Sequence, residues 1–106
     1  MRISVSAPGR NLEADDVEGI ERDLEKIDRR LKGFKQEVAV SVRLSDAQGP
    51  VPGHHVVIEL DYGRTHLLAK AESPDVGQAV RTAREELLRQ INDRSRGGHS
   101  DFAKHT

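Results

Sequence analysis

Two groups of arginine and lysine side chains are the candidate functional residues of this chain. Within each group the cations recur at or near helical spacing, so they share one exposed side of a predicted helix. The first group is Arg22, Lys26, Arg29 and Arg30, and the second group is Arg81, Arg84 and Arg89. Long cationic side chains on one face suit contacts with nucleic-acid phosphates. The same pattern is typical of a solvated helix face, so the residues alone leave both interpretations open.

Acidic residues are interleaved with the second group. Arg81, Glu85 and Arg89 have the i, i+4 spacing at which opposite charges pair along a helix, and we expect them to pair with one another. The whole chain of 106 residues has 17 Lys and Arg against 18 Asp and Glu, which gives a net charge of −1. Because there is no global basic field, a nucleic-acid partner would have to be met by a local patch.

Other kinds of chemistry have little support in the sequence. Cysteine is absent, which excludes disulfides, thiolate metal sites and cysteine nucleophiles. His54 and His55 are adjacent on a predicted strand and point to opposite faces, and together with His66 they provide no ligand set fixed by spacing. Neither a nucleophile elbow nor a phosphate-binding glycine loop occurs. We therefore expect no enzyme, no catalytic residue, no metal, no cofactor and no small-molecule substrate.

The first group of cations lies on a helix predicted over residues 15–34. Its apolar positions recur at steps of three and four and form one stripe. The stripe consists of Val17, Ile20, Leu24, Ile27, Leu31 and Phe34. Asp15 or Asp16 is the expected N-cap, and Gly33 marks the expected end.

Four segments alternate between apolar and polar residues, as half-buried strands do. They cover residues 1–7, 37–44, 55–61 and 66–72, with a proline- and glycine-rich loop at 45–53 and a hairpin turn at 61–64. Ser73 is the expected N-cap of a second helix, with Pro74 in its first turn. Its stripe consists of Val76, Val80, Ala83, Leu87 and Ile91. Residues 96–106 lack periodicity, so we expect a domain over residues 1–95 and a disordered tail over residues 96–106.

The predicted order is β-α-β-β-β-α, an α+β fold with a four-stranded sheet. The last three strands can form an antiparallel meander, and the first strand can pair in parallel after its helical crossover. All apolar stripes need one shared core, which favours both helices packed on one face of the sheet. Both cationic groups would then project from the same side of the domain. No segment has the features of a signal peptide or a membrane span, so we expect a cytoplasmic protein without a membrane partner.

Several short motifs occur in an order that resembles the ribosome hibernation-promoting and ribosome-associated inhibitor family, also called sigma-54 modulation proteins. The resemblance covers about residues 1–95. The motifs are Gly9-Arg10-Asn11-Leu12-Glu13, Leu24-Glu25-Lys26-Ile27, Ala69-Lys70-Ala71-Glu72, Asp75 with Ala79-Val80, and Leu87-Leu88-Arg89-Gln90.

This resemblance implies a fold related to double-stranded RNA-binding domains and a non-enzymatic factor that occupies the mRNA and tRNA channel of the small ribosomal subunit. The implied partner is 16S rRNA, bound through both cationic groups and Arg10. Arg10 could equally have a structural role, in which it only stabilises the turn that contains it. We expect a monomer or a weak dimer.

The sequence also departs from the family. The acids Glu85 and Glu86 are interleaved with the second group, Gly77 replaces a frequent tyrosine, and no lysine-rich tail or second domain follows. The missing second domain argues against ribosome dimerisation driven by this protein. Because of the interleaved acids, the alternative function is a divergent member that acts through a protein partner in a stress response, with weak or no ribosome binding.

Overall fold

The computed structural model describes residues 1–8, 13–32, 37–47, 49–50 and 52–105, with side chains described as far as Arg94. Arg10, Gly33 and Phe34 lie outside the described residues. The predicted order of helices and strands is confirmed. The elements are β1 (Arg2–Ser6), α1 (Ala14–Arg30), β2 (Val38–Asp46), β3 (His54–Tyr62), β4 (Thr65–Ser73) and α2 (Val76–His105).

The four strands form one sheet in the order β1-β2-β3-β4. β1 pairs in parallel with β2, where Ile3 lies opposite Val40. The β2–β3 and β3–β4 pairs are antiparallel, so Val42 lies opposite Ile58 and Ile58 opposite Ala69. In every strand pair, side chains that point to the helices therefore lie opposite one another, because side chains alternate between the two faces of a strand.

One core lies between the sheet and both helices. Ile20, Leu24 and Ile27 of α1 and Ala83 and Leu87 of α2 join the inward residues of β2, β3 and β4 in a single cluster. No polar or charged residue is buried among the described residues. The predicted packing of both helices on one face is thereby confirmed. The other face of the sheet is left open, and Leu68 is a large apolar residue exposed there, at 37%.

The β3–β4 hairpin turn is shorter than predicted. Tyr62 pairs with Thr65, which leaves only Gly63 and Arg64 in the turn. Gly63 has φ +60°, a conformation that glycine adopts readily at the first central position of a type II′ turn. Asp61 and Tyr62 belong to β3, and Tyr62 is buried at 7% exposure. The tight turn extends the pairing, so the tyrosine enters the core.

Both predictions of the helix N-caps are wrong in position. The N-cap of α1 is Glu13, whose backbone has extended φ and ψ, and its N–H donates to Asp16 Oδ2 at 3.4 Å in a capping box. Asp75 precedes α2, and its Oδ1 accepts from the N–H of Gly77 at 3.1 Å. Ser73 remains in β4 because a residue before proline favours extended backbone, so Pro74 precedes the helix rather than entering it.

The ends of the helices also differ from expectation. α1 ends at Arg30 with Leu31 as its C-cap. The helical backbone of α2 continues to His105, whereas we predict a tail from residue 96. Glycine in a helix interior costs only about 1 kcal/mol relative to alanine, and no proline occurs beyond Pro74, so nothing forces the helix to stop at Gly97. The division of the chain at residue 95 stays a prediction. Among the described residues, no helix combines the length and the apolar character needed to cross a membrane.

Candidate nucleic-acid interface

The two helices lie side by side and run in parallel. Contacts between them advance in the same direction along both chains, from Arg81–Asp23 through Lys26–Glu85 to Arg30–Asn92. Their apolar stripes face the sheet, so their polar residues form the outer side of the domain. This arrangement brings the two cationic groups together, as expected.

Arg84 links the helices rather than facing outward. Its Nη1 donates to the backbone oxygen of Asp23 at 3.1 Å, and its Nε donates to Glu85 Oε2 at 3.1 Å. Its side chain is only 15% exposed. Arg81 lies beside it and is more exposed, with its Nη1 3.7 Å from Asp23 Oδ2. Asp23 is therefore the residue of α1 on which two arginines of α2 converge.

A groove between the helices is lined by cations from both groups. It has a volume of about 630 Å³. Its lining residues are Lys26, Arg29, Arg30, Glu85, Leu88, Arg89, Asn92 and Asp93. We call this surface the interhelix groove. Within it, Arg30 Nε donates to Asn92 Oδ1 at 2.9 Å and Lys26 Nζ lies 3.4 Å from Glu85 Oε1.

Arg89 is engaged by carboxylates on both sides of its guanidinium. Its Nε and Nη2 lie 2.9 Å and 2.5 Å from the two carboxylate oxygens of Glu86, and its Nη1 lies 3.2 Å from Asp93 Oδ2. The prediction that Arg81, Glu85 and Arg89 pair with one another is wrong, because closer partners exist. Arg81 contacts Asp23 of α1, Glu85 contacts Lys26 of α1, and Arg89 contacts Glu86 and Asp93.

Hydrogen bonds favour the ionised form of the Glu85 and Glu86 carboxylates. Partial desolvation of Glu85 favours its neutral form, but hydrogen bonds from Arg84 and Lys26 outweigh it and lower the pKa of Glu85. Hydrogen bonds from Arg89 and Gln90 likewise lower the pKa of Glu86, and the Glu86 carboxylate raises the pKa of Arg89. At neutral pH the outer side therefore carries both signs of charge.

Arg22 and Arg29 differ from the other cations. Both are exposed on α1, and neither guanidinium forms an ion pair or hydrogen bond within the described residues. Arg29 lines the interhelix groove, and Arg22 lies two turns before it on the outer side of α1. These two guanidinium groups have unoccupied donors for a phosphate.

One protein-family model matches most of this chain. A family model described as sigma 54 modulation protein / S30EA ribosomal protein matches residues 4–96. The chain belongs to this family. A search of curated proteins finds no match to this S30EA-family chain.

Two solved structures resemble the S30EA-family chain in fold. The N-terminal domain of Protein Y from Thermus thermophilus has a TM-score of 0.72 at 21% identity, covering 86% of this chain and 96% of that chain. A ribosomal subunit interface protein from Coxiella burnetii has a TM-score of 0.70 at 16% identity, covering 90% of this chain and 98% of that chain.

Sequence reasoning did not identify several polar residues of this outer side. Asp23 contacts Arg84, which is 61 positions away in the sequence, and Asn92 contacts Arg30, which is 62 positions away. No local pattern of residues reveals such pairs. Glu86 and Asp93 stand at i−3 and i+4 from Arg89, a spacing that is readable in the sequence.

The open face of the sheet contains two acid–histidine pairs. His66 Nδ1 lies 2.6 Å from Asp61 Oδ1, and His55 Nδ1 lies 3.2 Å from Glu72 Oε1. The hydrogen bond to Asp61 raises the pKa of His66. No group of three or more potential metal ligands occurs in the part of the chain that the structure describes.

Proposed function

We propose that this protein is a ribosome-binding translation inhibitor of the hibernation type. In this proposal its outer helical side contacts 16S rRNA in the mRNA and tRNA channel of the small subunit. Membership in the S30EA family supports a ribosomal partner. The observation that carries the proposed surface is the interhelix groove, where Lys26, Arg29, Arg30 and Arg89 of two different helices line one concave surface.

The physical argument is one of local charge. The interhelix groove is lined by four cations, Lys26, Arg29, Arg30 and Arg89, and by two carboxylates, Glu85 and Asp93. The lining of the groove is therefore cationic although the chain as a whole has a net charge of −1. Phosphate contacts need such a patch and no catalytic group, so inhibition would follow from occupancy of the channel.

Arg22 and Arg29 are the residues we expect to contact phosphate first. Their donors are not used by carboxylates of the described chain, so no internal pair has to break. Arg30 and Arg89 line the interhelix groove together with Arg29, and Arg81 lies beside Asp23. Arg84 is expected to act mainly by holding the two helices together. Arg10 stays a candidate contact from its sequence alone.

The test is binding of the protein to purified small ribosomal subunits over a salt series. Arg22→Gln with Arg29→Gln should weaken binding and reduce the salt slope by roughly 0.7 to 0.9 per lost phosphate contact. Glutamine keeps much of the side-chain length without adding an acid beside existing carboxylates.

The matched control removes two arginines elsewhere. Arg43 and Arg64 are both exposed, the first in β2 on the open face and the second in the β3–β4 turn, and neither forms an ion pair within the described residues. Arg43→Gln with Arg64→Gln should leave the slope unchanged. Equal losses in both double variants would refute the proposed surface.

A second candidate function is action through a protein partner. It is favoured by the ion pairs that already satisfy Arg81, Arg84 and Arg89, because such pairs reduce the attraction for RNA. Absence of saturable small-subunit binding at low salt would refute the rRNA proposal and favour this candidate.

A further inference from the structure

Arg89 contacts two carboxylates, and that of Glu86 binds it in the way that a phosphate would. The paired oxygens of Glu86 accept from Nε and Nη2 of Arg89, at 2.9 Å and 2.5 Å. This two-point geometry is the one in which arginine also binds phosphate. Asp93 accepts from Nη1 at 3.2 Å, so both edges of the guanidinium are engaged.

Glu86 is held in place independently of Arg89. Gln90 Nε2 donates to Glu86 Oε1 at 3.3 Å and also to the backbone oxygen of Leu68 in β4 at 3.1 Å. The carboxylate is thereby anchored to the edge of the sheet, and its side chain is 37% exposed, against 62% for Arg89. Because Glu86 is the better anchored partner, Arg89 can leave it for an outside anion while Glu86 stays in position.

We propose that Glu86 is a specificity-determining residue, which occupies the donor fork of Arg89 until a correctly placed phosphate replaces it. This inference rests on the proposed function and adds a gate to the same surface. Arg22 and Arg29 supply the first contacts, and Arg89 joins only where the RNA presents a phosphate within reach of its guanidinium, beside the Glu86 carboxylate that stays in place. An RNA without a phosphate there would gain nothing from Arg89.

The first experiment compares wild type with Glu86→Gln in small-subunit binding over a salt series. Glutamine keeps the size of the side chain and removes the charge. An exposed ion pair contributes an energy that corresponds to roughly a two- to fivefold change in affinity. Because Arg89 no longer has to break its pair with Glu86, we expect the variant to bind more tightly by that factor at low salt. The salt slope should rise by up to roughly 0.7 to 0.9, because Arg89 can then contact a phosphate without first leaving Glu86.

The matched control is Glu21→Gln. Glu21 is also a helical glutamate, is exposed, and forms no ion pair within the described residues. It lies on the flank of α1 that points away from Asp23 and the other contacts with α2. This variant has the same change in net charge but leaves Arg89 engaged, so its salt slope should equal that of wild type.

A double-mutant cycle separates the gate from simple repulsion. Arg89→Gln should cost less affinity in wild type, where a phosphate must first displace Glu86 from the arginine, than in the Glu86→Gln background. If Glu86 only repelled RNA, its replacement would tighten binding equally in the presence and in the absence of Arg89, and the inference would be overturned.

The outcomes distinguish this inference from the proposed function. Wild-type binding with an unchanged Glu86→Gln curve refutes the gate and leaves the proposed function standing. No saturable binding by either protein at low salt refutes the proposed function and the gate with it. Melting curves of all variants verify that each is folded, as we expect because none of the altered residues is in the core.

Discussion

Leu24 provides the sharpest test of the shared core. It is 0% exposed and lies in the cluster that joins α1 and α2 to the sheet. Replacement of a buried leucine by alanine costs about 2–5 kcal/mol, since transfer and cavity terms add. For a chain of 106 residues the entropy of unfolding is about 0.2 kcal/mol/K, so a loss of about 3 kcal/mol lowers Tm by roughly 13 °C. We therefore expect Leu24→Ala to retain the fold with a much lower melting temperature.

Leu68 is the matched control because it is the same residue type at an exposed position. It lies on the open face of the sheet at 37% exposure, and only its backbone oxygen accepts from Gln90. Leu68→Ala should change stability by about 0.5 kcal/mol or less. Both variants are compared by urea unfolding followed by circular dichroism, with equal m values as the check that the same surface unfolds. Equal midpoints for the two variants would refute the assignment of Leu24 to the core.

Two further predictions concern the open face and the end of the chain. Asp61 raises the pKa of His66, so this pair stabilises the fold below the ordinary value of 6.5, and the effect is lost as pH rises through the raised pKa. Asp61→Asn should return the NMR titration midpoint of His66 toward 6.5, and an unchanged midpoint would contradict the pairing. Truncation after Ser95 should leave Tm unchanged because residues 96–106 contain few apolar groups, and a drop of several degrees would contradict the predicted boundary.

Element order and strand faces were readable from the sequence because they depend on short-range periodicity. The inward set of β2, such as Val40 and Val42, is fixed by alternation, and the stripe of α1, such as Leu24 and Ile27, by steps of three and four. The helix starts were predicted less well. Several acidic and hydroxyl residues near each start can cap the helix. Asp75 rather than Ser73 caps α2 because β4 extends to Ser73.

The candidate site divides in the same way. That the two cationic groups belong to the helical side of the domain could be predicted from the sequence, because each group lies opposite or beside an apolar stripe that must be buried. Which of these cations form ion pairs and which do not depends on how the two helices pack. Asp23 meets Arg84 and Lys26 meets Glu85 because parallel packing sets the relative position of two helices about 60 residues apart, at |i−j| of 61 and 59. Charge pairing across that contact depends on distances of a few ångströms, which no local pattern of residues encodes.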